Sequence, residues 1–249
     1  MIEALVPPTL EPFWAFFLIA VSAGTSFVTA AAGIGGGIIL LAVMAVIVPG
    51  AAIIPVHGAV QIGSNAGRAA IMFSHVQWTI FAPFLAGSVI GAIAGGLAVV
   101  QLPAAGLKLA LGCFILWTAW GPPLGLRGRM VSVVTGAVSS FLTMFVGATG
   151  SFISAMVKTF KFGRMEHVAT HSVCMVTQHV VKVVVFGFLG FQFAPYAGLI
   201  IAMIASGFLG TVLGKRFLLK TDDVKFHRVL SVILTLLALR LIYDGFTGF

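Results

Sequence analysis

The stretch Ala31–Leu41, AAGIGGGIILL, sets four glycines in five positions inside an otherwise apolar run. Glycine in a helix interior costs about 1 kcal/mol relative to alanine, so an unbroken helix through this segment is disfavoured. The segment therefore reads as a break, followed by a short apolar helix over 38–48. The rest of the chain is organised around that break.

The chain has 249 residues, 60% of them hydrophobic and 8% charged, with a mean hydropathy of +1.15. Soluble domains carry about 25% charged residues, so the composition is that of an integral membrane protein. Most apolar runs approach the roughly 20 residues that span a bilayer as helix. They lack the alternating pattern of an outer-membrane barrel. The expected class is an all-α polytopic membrane protein. The formal net charge of +8 sits mainly in short connections, as cytoplasmic loops do, so no nucleic-acid partner is implied. Cys113 and Cys174 fall within apolar segments, and no disulfide framework is suggested. The N-terminal MIEALVPPTLEPFW has no basic residue, unlike a cleavable signal, and is expected to stay in the mature chain.

Apolar segments are expected at 13–32, 38–48, 54–73, 79–99 and 106–120, then at 131–147, 152–160, 167–187, 194–214 and 226–246. Both sets run long, short, long, long, long, and each short member follows a glycine cluster, GIGGG (33–37) or GATGS (147–151). An offset of 114 aligns Phe27 with Phe141, Thr29 with Thr143, Gly33 with Gly147, Gly36 with Gly150, His57 with His171 and Arg68 with Lys182. The chain thus reads as a duplication: a first transmembrane repeat at 1–121, a cytoplasmic linker at 122–130 and a second repeat at 131–249.

Basic residues cluster at Arg127 and Arg129, at Lys158, Lys161 and Arg164, and at Lys215, Arg216, Lys220 and Lys225. Placing these in the cytoplasm satisfies the positive-inside rule and puts both termini outside; Lys108 alone dissents. Each repeat then makes an odd number of crossings, so the halves have opposite orientation. Inverted-topology repeats with paired Gly-interrupted segments are the architecture of many secondary transporters, with the site at the repeat interface near the midplane.

Short helices of about 11 and 9 residues rise only about 16 and 13 Å, against a core of about 30 Å. A helix starting inside the membrane leaves its first N–H groups without partners. With the positive end of the dipole they form an anion site. Gly33, Gly35, Gly36, Gly37, Gly147, Thr149, Gly150 and Ser151 are its candidate residues. Close helix packing is the competing use of membrane glycine, and it is the reading adopted for Gly87, Gly91, Gly95, Gly207, Gly210 and Gly214.

The order of AAGIGGGIILL, then PVHGAVQIGSNAGRAAIMFSHVQW (55–78), then a Gly-rich helix and a second half echoing the first, resembles the TauE/SafE sulfite exporter family, also called the 4-toluene sulfonate uptake permease family. The resemblance covers nearly the whole chain. It implies membrane transport of a sulfur-containing anion such as sulfite or an organosulfonate, in a bacterial cytoplasmic membrane. The second cluster departs from the family's glycine-rich form through Thr149 and Ser151, and the proline that commonly follows the first cluster is absent until Pro49.

Ionisable groups inside membrane helices are functional candidates by default. Segment 54–73 carries His57, Gln61, Ser64, Asn65 and Arg68 on one helical face; its counterpart carries His167, His171, Thr177, Gln178, His179 and Lys182. For His57 and His171, helix–helix hydrogen bonding competes with substrate contact or proton relay, since histidine titrates near neutral pH. Arg68 and Lys182 read either as side chains snorkelling to the cytoplasmic interface or as an electrostatic funnel for anions. Ser26, Thr29, Ser140 and Thr143 precede the breaks and either bond back to their own helix or donate to substrate oxygens. Asn65 and Gln178 complete the candidate binding set.

A rival reading takes His167, His171, Met175 and His179, four residues apart, as a ladder handling a transition metal or haem. The face drifts about 40° per step on a 3.6-residue helix, the first half repeats only His57, and the ladder lacks the acidic partner that a cation pathway normally wants. No resident cofactor or metal is expected, and nothing marks an activated nucleophile that would make the chain an enzyme. The expected activity is secondary transport of a small sulfur oxyanion by alternating access, with export the expected direction and protons the candidate coupling ion.

Overall fold

The computed structural model describes residues 5–32, 35–99, 130–147 and 149–216, with scattered helical positions between 105 and 120 and between 232 and 247. Gly33, the Ser151 side chain, the linker before Met130 and most of the segments expected at 106–120 and 226–246 lie outside the described residues. Eight complete α-helices are described: α1 (Pro12–Ala32), α2 (Gly36–Ile47), α3 (Gly50–Ile71), α4 (Phe81–Val99), α5 (Met130–Val146), α6 (Gly150–Thr159), α7 (Arg164–Phe188) and α8 (Ala197–Lys215). No strand occurs among the described residues. Short 3₁₀ turns, Trp78–Ile80 and Ala194–Tyr196, lead into α4 and α8.

The glycine clusters break the chain as the sequence demands. Gly35 caps α2 with φ 103°, and Gly147 ends the turn after α5 with φ 72°; both are left-handed conformations that side chains with a Cβ rarely adopt. Helices α2 and α6, of 12 and 10 residues, rise about 18 and 15 Å and are too short to cross a bilayer core of about 30 Å. Helix α3 starts one turn earlier than its apolar run, at Gly50, with Pro49 as its cap. Pro55 lies so near that start that its missing N–H removes a single bond.

Four spans are long and apolar enough to cross a membrane: Pro12–Ala31, Trp78–Val99, Met165–Phe188 and Ala194–Lys215. They carry large apolar side chains outward, among them Phe16 on α1, Ile90 and Leu97 on α4, and Ile201 and Leu209 on α8. Helix α3 has 22 residues yet is not among them, because His57, Gln61, Ser64, Asn65 and Arg68 lower its apolarity. Those five side chains are all buried, so α3 is shielded by its neighbours.

Helix boundaries repeat at the offset of 114: α1 and α5 end at Ala32 and Val146, α2 and α6 begin at Gly36 and Gly150, α3 and α7 begin at Gly50 and Arg164. Packing repeats as well. A Cβ on Gly91 of α4 would strike the Ala137 carbonyl of α5, and one on Gly210 of α8 would strike that of Ala23 of α1. One on Gly95 would lie 2.7 Å from Phe141 O, and one on Gly214 2.5 Å from Phe27 O. Ala23 and Ala137, like Phe27 and Phe141, are 114 apart. The six glycines assigned to packing therefore do pack, in two parallel helix pairs, α4 on α5 and α1 on α8. Each half's first helix lies against the other half's fourth.

At the centre α3 packs on α7. His57 lies against His179, with ring centroids 5.9 Å apart, and Gly58 faces the Lys182 side chain. At the other end Arg68 is an electrostatic neighbour of His171. Rising numbers on α3 meet falling numbers on α7, so these two corresponding helices run antiparallel.

Candidate functional site

The polar face of α3 is a continuous run. His57 Nε2 lies 2.9 Å from Gly37 O, in the first turn of α2. A carbonyl oxygen can only accept, so Nε2 carries the hydrogen and Nδ1 is left as a buried nitrogen with no partner. Gln61 Nε2 approaches the same ring at 3.3 Å. Asn65 Nδ2 donates to Gln61 O at 2.8 Å and to its side-chain Oε1 at 3.1 Å. Arg68 donates to Asn65 Oδ1 at 3.2 Å and Ser64 Oγ at 3.1 Å, while its Nε has no partner. Ser26 of α1 joins through a 3.1 Å hydrogen bond with Ser64.

The second half builds a related but different set. His171 Nε2 donates to Gly150 O, the first residue of α6, at 3.1 Å, so each histidine clamps the start of its own short helix. Thr149, just before α6, donates to Gln178 Oε1 at 2.9 Å. Gln178 in turn donates to Ser139 Oγ at 2.9 Å and lies 3.4 Å from Ser140 Oγ. Lys182 Nζ donates to Gly147 O in the break itself at 2.9 Å. Helix α2 reaches this break too: Leu41 packs against Gly147. The two glycine breaks and the α3–α7 crossing thus form one buried polar region.

Arg68 is 1% and Lys182 0% exposed. Snorkelling to the cytoplasmic interface is therefore not what these residues do; their helix lies behind others, and the long side chains point inward. Among the described residues neither has an acidic partner, the ion pair Arg240–Asp244 being exposed and elsewhere. Buried charge without a counter-charge is costly. Lys182 is an electrostatic neighbour of His57 and His179, as Arg68 is of His171.

The remaining candidates are placed as follows. Thr29 bonds back to Thr25 O at 3.0 Å within α1, whereas Thr143 donates to Gly147 O at 3.0 Å and holds the end of α5 against its break. Gly36 is pressed against Thr25 O and Thr29 Oγ1, Gly37 against Gln61, while a Cβ at Gly150 would meet nothing closer than 3.5 Å. His167 shares a 3.0 Å hydrogen bond with Ser154 and stacks on His171 at 6.4 Å, whereas His179 turns to α3. Among the described residues no three His, Cys, Asp or Glu side chains are grouped to hold a metal. Ser139 and Gly58 were not legible as site residues. Ser139 adjoins Ser140, which offered a faint signal; Gly58 offered none.

A sulfite exporter TauE/SafE family model matches residues 16–241. The chain belongs to the TauE/SafE family. No curated protein and no solved structure gives a significant match. The TauE/SafE match takes in both glycine breaks, both buried cations and every site residue named above. TauE/SafE is a membrane transporter family, in accord with the four apolar spans; neither the family nor the geometry favours the metal ladder.

Proposed function

We propose that the chain is a secondary transporter that carries a sulfur-containing oxyanion, sulfite or an organosulfonate, across the bacterial cytoplasmic membrane by alternating access. The observation that carries this reading is the pair of buried cations, Arg68 and Lys182, at corresponding positions beside two broken helices, with no acid among the described residues to neutralise them. An oxyanion supplies the missing charge, and the helix starts at Gly36 and Gly150 supply N–H donors and positive dipole ends. Thr149 holds Gln178 beside the start of α6, and Asn65 bonds Gln61, which touches Gly37; with Ser26 and Ser140 they form the neutral part of the cradle.

The two halves act as inverted copies in this proposal. The antiparallel crossing of α3 and α7 supports that: helices that correspond in sequence but run oppositely are related by a two-fold axis across them. Rocking of the halves about the crossing would open the site to one side and then the other. An anion leaving the cell gains about 2.3 kcal/mol per charge per 100 mV of inside-negative potential, which favours export. In this orientation the basic loops and Lys158 are cytoplasmic and both termini are outside.

Purified protein in detergent should gain thermal stability with sulfite or a sulfonate and none with chloride, because a ligand of the folded state stabilises it by mass action. Equal shifts with all three would remove the sulfur oxyanion from the proposal. Gly150→Ala separates ligand approach from packing, since the added methyl has room. We expect its melting temperature to hold while transport in vesicles falls about tenfold to a hundredfold, the cost of displacing a bound group from the backbone. Unchanged transport would mean that no ligand approaches this helix start.

A further inference from the structure

The four-position faces of α3 and α7 correspond, His57–Gln61–Asn65–Arg68 with His171–Met175–His179–Lys182, but they differ chemically. On α3 Asn65 bonds Gln61 and Arg68 bonds Asn65, and the run ends in a guanidinium that stays charged at all ordinary pH. On α7 Met175 interrupts the run. His179 is 0% exposed, and among the described residues both of its ring nitrogens lack a partner. Its ring stands edge-on to His57, centroids 5.9 Å apart. Lys182, one turn on, has among the described residues a single acceptor, Gly147 O, for its three donors. Gly58 leaves space for that ammonium against α3, since a Cβ there would lie 2.6 Å from Lys182 Cε.

We infer that His57, His179 and Lys182 form a subsite that takes up an oxyanion together with one proton, His179 making the second half the proton-coupled one. This rests on the anion-transport reading above. A neutral imidazole with both nitrogens unpartnered wastes a donor and an acceptor. A protonated ring presents two donors, and an oxyanion beside Lys182 supplies acceptors for them. His57, whose Nε2–H is committed to Gly37 O, adds Nδ1 as an acceptor for the same proton or for an acidic O–H of the ligand. The other ionisable groups near His179 are His171 and Lys182 on its own helix and His57 on α3. Helices α4 and α5 carry none, and Lys158 of α6 is exposed. The proton therefore belongs to the three-residue cluster as a coupled set. A cation is disfavoured, because Lys182 is adjacent and, among the described residues, no Asp or Glu acts on His179.

The test is calorimetric titration of the full chain with sulfite in two buffers of different ionisation enthalpy, which counts protons exchanged per anion after subtraction of sulfite's own ionisation. Wild-type protein should take up close to one proton. His179→Asn, the residue of the first half at the same register, should bind more weakly with that uptake lost. Wild-type binding without protein-linked uptake, or unchanged uptake in His179→Asn, would overturn the inference and leave the transport reading standing. Failure of every sulfur oxyanion to bind would overturn that reading and this one together. Zinc binding in place of anion binding, lost in His179→Asn, would also overturn it.

Discussion

Lys182→Met should raise the melting temperature while removing transport. The ammonium is fully buried, and among the described residues its one hydrogen-bond partner is Gly147 O. Desolvating such a charge costs several kcal/mol, and an apolar side chain of similar length avoids that cost. It forfeits one charge-assisted hydrogen bond, so the net stabilisation is about 1–4 kcal/mol. Anion binding loses its charge partner, about 2–5 kcal/mol, or roughly 30-fold to several thousandfold in affinity. Arg68→Met should behave alike with a smaller gain in stability, because its guanidinium is already held by Asn65 and Ser64. Opposed effects on stability and transport are the signature of a residue kept for its ligand. A Lys182→Met protein that is less stable and still transports would make the lysine a strut for the Gly147 turn.

Gly91→Leu and Gly210→Leu should each abolish folding, and to a similar degree. Here the obstacle is backbone: the first added carbon already overlaps a carbonyl of the facing helix, Ala137 or Ala23. Such atoms cannot move aside without separating α4 from α5 or α1 from α8, so the loss exceeds about 3 kcal/mol. Gly24, also on α1, has no atom within 4 Å; Gly24→Ala should be neutral or gain a few tenths of a kcal/mol from helix propensity. Size-exclusion profiles of the detergent-extracted variants measure this directly. A folded Gly91→Leu protein would show that the close α4–α5 contact is dispensable.

Much of the fold is legible in the sequence because its signals are local. Glycine clusters announce the breaks, apolar runs announce the helices, and the offset of 114 carries over to the residue into the boundaries at the breaks, the ends of α1 and α5 and the starts of α2 and α6, and into the starts of α3 and α7. The packing glycines recur along long helices as expected, but Gly36 of the first cluster is pressed just as closely, against Thr25 O and Thr29 Oγ1. What stays hidden is which apolar helix stands in front of which. Arg68 and Lys182 lie near the ends of their apolar runs, where a linear reading sends long cations to the interface. Burial behind neighbouring helices sends them inward instead. His179 reads as one rung among four because spacing alone cannot say that 40° of drift per step turns it from His171 toward His57. Gly58 has no linear signal, for its role is to leave space for a side chain 124 residues away.

The exchange of partners between halves has a consequence for biogenesis. When the first half leaves the ribosome, the small-residue face of α4 has no cover until residues 130–146 follow, and that of α1 waits for α8, some 165 residues after α1 ends. A newly inserted first half is thus an unfinished surface that lipid or the insertion machinery must shield. Severed between the halves, the gene should yield stable protein only when both fragments are made in the same cell.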